Sequence, residues 1–379
     1  MKVAIVYHYF AHYREPVINE LFSTACKNNS DLILLSDVEA NEPNLNVLKF
    51  NDNNNFIKIE NKWFGKFLWQ KGLILKLIRN SPQTIIFLGQ FNFISTWVAA
   101  VLFRLLGKRV IFWGHGVYGS EAGIKKIIRN CFNKLPHKYM TYGEHARNIM
   151  IQNGMKSSSI SVIFNSLNVA EQNKLYHCHN SDEVSHMTSL GNETSRTKKI
   201  NLIFVGRLTS VKKISLLLLA LARLDKNNYH LNIVGSGPEE NALKELSKRL
   251  QLADNVTFKG EIHDEIELSR LIYNSELCVS PGNVGLTAMH ALIYGTPVIT
   301  NDDFNTQMPE FEAIVPGVNG GFFAADDVVS LAETIEEWGQ RLSSIGRDVI
   351  REDCRRPILQ KYNPKHQAEL IWRNVDSDV

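Results

Sequence analysis

The sequence predicts an α/β protein made of two doubly wound parallel-sheet domains, and three observations support this. The chain has 379 residues, enough for two hydrophobic cores of ordinary size. Short apolar runs alternate with stretches of helical spacing, once across the first half and again across the second, as parallel βαβ units require. Between them, residues 170–199 are rich in Asn, Ser, Thr and His and lack apolar periodicity. That stretch reads as an exposed, mobile connection. The boundaries follow: a first domain over 1–168, a connection over 169–200, a second domain over 201–345, and closing helices over 346–379 that can cross back to the first domain.

The elements are justified in order. Lys2–Tyr9 is a first buried strand, followed by His12-Tyr-Arg14 and a helix over Glu15–Lys27. Asp31–Ser36 is the next strand, and the Asn- and Asp-rich residues 37–61 read as irregular. Thr84–Leu88, Arg109–Trp113, Lys138–Tyr142 and Ile160–Phe164 complete the first set of strands. In the second half the strands are Leu202–Gly206, Tyr229–Val234, Val256–Lys259, Glu276–Ser280 and Pro297–Thr300, with helices starting near Ile214, Glu239, Asp264 and Thr287. Architecture repeats; the sequence itself does not.

Composition places the chain among ordinary soluble globular proteins, with 44% hydrophobic and 21% charged residues. The net charge of +3 hides an asymmetry: residues 1–168 hold 20 Lys and Arg against 10 Asp and Glu, and the remainder 22 against 29. A basic first half suits either an anionic partner or a solvated face, and no nucleic-acid partner is expected. Five scattered cysteines form no disulfide framework and no zinc pattern. His177-Cys-His179 is too sparse to indicate a metal. No run is long enough to span a membrane, and Met1–Val6 is too short for a signal peptide. The expected location is the cytoplasm, including the inner face of its membrane. Residues 62–79 are basic, aromatic and amphipathic, which fits either an anionic membrane surface or a core helix with a solvated rim.

The chemistry concentrates between Asn201 and Thr300. Gly206-Arg207-Leu-Thr-Ser-Val-Lys212 follows a strand and opens a helix. An Arg fork and a Lys point charge there can converge on a diphosphate, together with N–H groups at helix starts. Val234-Gly235-Ser-Gly237-Pro238 and Ser280-Pro-Gly282-Asn283-Val284-Gly285-Leu286-Thr287 repeat the strand, tight turn and helix start. An anionic nucleotide-linked group at the carboxyl ends of parallel strands is the implied ligand.

These stretches resemble the retaining glycosyltransferases of family 4. Gly206 through Lys212 matches that family's G-R-L-x-x-x-K stretch, Gly235–Pro238 its G-x-G-P loop, Ala291–Ile299 its A-M-A-x-G-x-P-V-I run and Gly317–Gly320 its later N-G turn. The first half matches more thinly, through Tyr9–Arg14, Gly114-His115-Gly116 and Asn165–Asn168. The resemblance implies the GT-B fold, two Rossmann-like domains with a cleft between them, the first on the acceptor side and the second binding the donor. It also implies a nucleotide diphosphate sugar as co-substrate, a saccharide or polyprenyl-lipid-linked acceptor, surface-polysaccharide assembly, and chemistry without metal or other cofactor.

One departure stands out. The family's two glutamates, seven residues apart, fall on Gly282 and His290. His290 retains a hydrogen-bonding ring that can reach a ribose or be satisfied within its own helix. Glu310, in Gln307-Met-Pro-Glu310-Phe-Glu312, can supply the missing carboxylate or merely favour a helix start. Arg207, Lys212 and His115 are the expected catalytic residues. Gly206, Gly235, Gly237, Asn283, Val284, Gly285, Leu286, Thr287, His290 and Glu310 are the expected donor-binding residues, with His12 and Arg14 on the acceptor side. His115 is implied to face the donor sugar, and its flanking glycines admit a close ligand. Asp302-Asp303 reads as a turn and Glu144 as a helix-start carboxylate. Two rival functions remain: a nucleotide-sugar-binding protein with impaired catalysis, and a dinucleotide-dependent oxidoreductase. The latter requires a G-x-G-x-x-G turn after the first strand, where this chain has Tyr7-His-Tyr-Phe.

Overall fold

The computed structural model describes residues 1–39, 46–50, 55–117, 119, 121, 123–189 and 199–376, with only the backbone over 182–189. The chain divides into two units, Met1–Leu167 with Asn363–Val379, and Asn168–Tyr362.

In the first unit the strands are β1 (Lys2–Val6), β2 (Asp31–Ser36), β3 (Phe56–Lys58), β4 (Glu60–Phe64), β5 (Phe67–Lys71), β6 (Thr84–Leu88), β7 (Arg109–Gly114), β8 (Lys138–Thr141) and β9 (Ile160–Val162). Seven form a parallel sheet in the order β3-β2-β1-β6-β7-β8-β9. Successive residues of β1 feed opposite faces: Val3 and Ile5 enter one core, Ala4 and Val6 the other. Such two-sided burial explains the near-continuous apolar runs of these strands.

The second unit holds β10 (Ile200–Val205), β11 (Tyr229–Val234), β12 (Val256–Gly260), β13 (Leu277–Ser280), β14 (Val298–Asn301) and β15 (Gly320–Phe323). They form a parallel sheet in the order β12-β11-β10-β13-β14-β15. Strand order reverses between β1 and β6 in one unit and between β10 and β13 in the other, the places where open α/β sheets accept ligands. The two doubly wound units are those of the GT-B fold.

Four expectations are corrected. The first strand stops at Val6; Tyr7 N still donates to Leu35 O at 3.0 Å, and the side chains of Tyr7, His8, Tyr9 and Phe10 then pack on one another. The irregular stretch 37–61 contains β3 and the start of β4, while residues 40–45 and 51–54 lie outside the described residues. Residues 62–79 are no single amphipathic helix. An antiparallel hairpin pairs β4 with β5 and turns at Gly65, whose φ of 59° suits glycine, before a short helix Leu73–Asn80. In β5 only Leu68 and Gln70 point inward, a period of two that the basic residues obscured. Finally, the expected mobile connection is largely a helix, Val169–Ser189, belonging to the second unit. It buries Val169, Gln172, Tyr176 and His179, and His179 Nε2 lies 2.8 Å from Ser269 Oγ. Residues 190–198 are outside the described set.

The closing helix Pro364–Asp376 is part of the first unit and packs beside Glu15–Lys27. Ala368, Ile371, Trp372 and Val375 join the core that holds Val17 and Leu21. Trp372 Nε1 donates to Leu21 O at 3.1 Å, Ser166 Oγ to Gln367 Oε1 at 2.7 Å, and Arg109 Nη2 to Asn374 O at 3.0 Å. None of the described helices is long and apolar enough to cross a membrane. Trp372→Ala is expected to lower the stability of the first unit by about 3–5 kcal/mol, and Trp372→Phe by less. Urea unfolding should show one transition shifted and the second unit's transition unmoved.

Candidate functional site

The second unit builds its site from three turns at the carboxyl ends of β10, β11 and β13. Gly235 has φ of 134°, and a Cβ there would lie 2.0 Å from Gly206 O. The β11 turn thus presses directly on the β10 turn, and Leu208 N donates to Ser236 O at 2.8 Å beside Gly237. On the other side Gly282 N donates to Lys212 O at 3.0 Å. A Cβ on Gly282 would sit 2.0 Å from Val211 O and 2.7 Å from Lys212 Cα. No side chain fits at Gly282, let alone a carboxylate.

The turn after β13 is held by polar side chains that the sequence reading did not single out. Gln307 is 3% exposed. Its Oε1 accepts from Val284 N at 2.7 Å, and its Nε2 lies 3.0 Å from Thr300 Oγ1 and 3.1 Å from Asn301 O. Asn301 Nδ2 donates to Pro281 O and Gly282 O at 2.9 Å each. These contacts fix the approach to the helix Leu286–Ile293, whose Thr287 hydroxyl donates to Val205 O at 3.2 Å. Their only sequence signal was polar residues at a strand end.

Lys212 Nζ donates to Asn283 O at 2.8 Å, carrying the ammonium across from the β10 turn to the β13 turn. Burial pushes its pKa below the usual lysine range, and the nearby Glu310 carboxylate acts in the opposite sense. Glu310 itself is 2% exposed, in the short helix Pro309–Ala313. The structure therefore brings Lys212, Asn283, Val284 and Glu310 together. Asn283 Oδ1 is a buried acceptor with no hydrogen-bond partner among the described residues. Arg207 is exposed at the end of β10 and its guanidinium has no partner among the described residues.

His290 is already engaged within the unit. Its Nε2 is 2.7 Å from Glu265 Oε1, which also accepts from Tyr294 Oη at 2.7 Å. Burial acts to raise the Glu265 pKa, but the bonds from His290 and Tyr294 hold it below the usual carboxylate range. A carboxylate thus stands beside His290, delivered by a different helix, Glu265–Tyr273. Sequence reading saw only a helix start there.

In the first unit His115 follows β7, half-buried, with its ring 4.9 Å from that of Tyr142. Burial and the Arg14 charge lower its pKa to about 4. With Gln90, Arg129 and Asn133 it lines a cavity of about 60 Å³. His12 is exposed, and Arg14 is half-buried among aromatic rings. Among the described residues no cluster of His, Cys, Asp and Glu is arranged to hold a metal.

Residues 189–341, covering the three turns, match the family described as glycosyl transferases group 1. The fold is GT-B, and the stretch 189–341 is similar to the group 1 glycosyl transferases. Over 217 residues the chain is 28% identical to an uncharacterized 41.2 kDa protein in the cps region of Klebsiella pneumoniae, covering 55% of this chain and 52% of the relative. Over 186 residues it is 26% identical to an uncharacterized glycosyltransferase of Methanocaldococcus jannaschii, covering 47% and 43%. The chain spans about half the length of these curated relatives. Among solved structures, Anabaena HepE in complex with UDP superposes over 100% of both chains, with TM-score 0.70 at 16% identity. The lipopolysaccharide outer core galactosyltransferase WaaB, apo form, does so with TM-score 0.71 at 16% identity, over 99% of this chain and 100% of its own.

Gly282→Ala should destabilise the second unit by about 1–3 kcal/mol through overpacking against backbone. Gln307→Ala should cost about as much for each backbone group it leaves buried and unbonded; chemical denaturation measures both. In the first unit, His8 and His115 have folded pKa values of about 4 against an ordinary 6.5. The unfolded chain therefore binds more protons between those values, and stability falls as pH drops through that window. Each histidine adds a slope of at most about 1.4 kcal/mol per pH unit. Denaturation at stepped pH should show that slope, flattened in His115→Asn.

Proposed function

We propose that the chain transfers a sugar from a nucleotide diphosphate sugar to a saccharide or lipid-linked acceptor, with retention at the anomeric carbon, in the assembly of a surface polysaccharide. The observation that carries this reading is Lys212, a partly desolvated ammonium seated beside a buried carboxylate and a helix-opening turn at the reversal of strand order. The group 1 match, the UDP held by HepE and the cps setting of the Klebsiella relative support it.

In this reading the bond between the anomeric carbon and a diphosphate oxygen breaks, and negative charge grows on the departing diphosphate. Lys212, Arg207 and the N–H groups over Gly285–Thr287 stabilise that charge. The acceptor oxygen bonds to the anomeric carbon from the same face, and its proton passes to a donor phosphate oxygen. Glu310 and Asn283 meet sugar hydroxyls in place of the carboxylate that Gly282 cannot carry, and the His290–Glu265 pair meets the ribose. No metal enters this scheme. UDP is the first nucleotide to test.

Incubation with UDP-sugars and GDP-sugars, reading release of nucleoside diphosphate, tests the proposal. Lys212→Ala should lower turnover at saturating donor by 100-fold or more, on the order of what loss of one preorganised charge-stabilising group costs. Near wild-type turnover in that variant would return Lys212 to a structural role. Tight nucleotide binding without turnover by the native chain would favour a binding protein with impaired catalysis.

Contact with an anionic membrane surface belongs to the same proposal. On the hairpin Phe64, Phe67 and Trp69 are exposed at 68%, 52% and 37%, beside Lys62, Lys66 and Lys71. Aromatic anchors interleaved with cations suit an anionic interface. Vesicles containing phosphatidylglycerol should sediment the protein at low salt, and Phe64→Ser with Phe67→Ser should abolish most of that binding. Equal sedimentation by the double variant would remove the hairpin from the membrane.

A further inference from the structure

Arg14 in the first unit is held in a way that surface cations are not. It closes the turn His12–Arg14 that follows β1. Its guanidinium carbon lies 5.3 Å from the ring centres of both Tyr7 and Trp113, 5.6 Å from that of Tyr13 and 5.7 Å from that of Tyr142. Nη2 donates to Tyr142 Oη at 2.7 Å. Among the described residues no carboxylate pairs with it. Ring faces attract a cation but offset only part of what desolvating it costs when no anion is near.

The surroundings of Arg14 also hold buried polar atoms without a hydrogen-bond partner among the described residues. The Trp113 indole N–H, on a side chain 1% exposed, has no hydrogen-bond partner among the described residues, and neither has His8 Nδ1. Arg14 acts electrostatically on both His8 and His115, and burial keeps both imidazoles neutral down to about pH 4. A neutral imidazole can donate a bond without adding a second charge. Tyr7 and His8 come from the end of β1, Trp113 and His115 from the end of β7, and Tyr142 from the residue after β8. These groups therefore gather at the carboxyl edge of the sheet, where such folds bind ligands.

We propose that this aromatic cage around Arg14 recognises an oxyanion, phosphate or carboxylate, carried by the acceptor. The guanidinium has a planar fork that matches either group with two parallel hydrogen bonds. The assignment of the anion to the acceptor rests on the transfer reading above; the anion site itself does not. It makes the acceptor an acidic one: a lipid-linked sugar with its phosphate near the transferred position, or a glycan ending in a uronic acid.

Calorimetric titration of the full chain at low salt tests this with three probes: inorganic phosphate, methyl glucuronide and the neutral methyl glucoside. At least one anion should bind more tightly than the glucoside, and the stronger of the two names the group on the acceptor. Arg14→Met should weaken that binding at least tenfold, whereas Tyr142→Phe, which keeps the cation and its rings, should weaken it only two- to fivefold. UDP titrated into the same variants should bind as to the native chain. Equal anion binding by native and Arg14→Met protein, or glucoside binding as tight as either anion, would overturn the proposal. Should Arg14→Met fail to fold, Arg14→Lys, which keeps the charge and loses the fork, must still weaken binding several-fold. Loss of UDP binding by the native chain with anion binding intact would instead strike the transfer reading.

Discussion

The second unit is organised by a contact between two pieces of backbone. Gly282 lies so close to Val211 and Lys212 that no Cβ can be placed between them. That closeness seals the β10 turn to the β13 turn and sets where the Lys212 ammonium can reach. It also decides the chemistry: a carboxylate from this position is sterically excluded rather than merely missing. The buried acid in the neighbourhood, Glu310, arrives instead from the far side of β14, and Gln307 three residues earlier ties that same segment to Val284. One short stretch, Gln307–Glu310, therefore both braces the turn and supplies its charge.

Charge is handled differently in the two units. Lys212 is offset by a carboxylate in a site otherwise built of backbone and amide groups. Arg14 is surrounded by rings and acts on imidazoles kept neutral, and no carboxylate among the described residues offsets its charge. Desolvation works on both cations, but only Lys212 can lose its proton in response; a guanidinium cannot, so its environment must accommodate the full charge.

Much of this was legible in the residues, for reasons that are local. Strands buried on both faces write continuous apolar runs, so β2, β6 and β10 could be placed closely. Tight turns write glycine, so Gly206 and Gly235 marked strand ends and Gly285 a helix start. The hairpin Glu60–Lys71 was hidden because its outward positions carry aromatic residues as well as lysines, which blurs a period of two. The helix Val169–Ser189 was hidden because its packed residues include Gln172 and His179, polar groups that become tolerable inside only once Glu265 and Ser269 are known to receive them. Glu265 and Gln307 escaped notice for the same reason. Their partners lie 25 and 23 residues away in the chain, and no local pattern reports such a pairing.

The helix Pro364–Asp376 has a consequence for how the molecule comes into being. It supplies Trp372 and Ile371 to a core whose other walls are encoded between Val3 and Ile163. A ribosome therefore delivers everything the second unit needs before it delivers the last wall of the first. Domains usually complete themselves from the amino terminus onward during synthesis; here the earlier-made lobe waits, its apolar flank uncovered beside Leu21, until Pro364–Asp376 has been made.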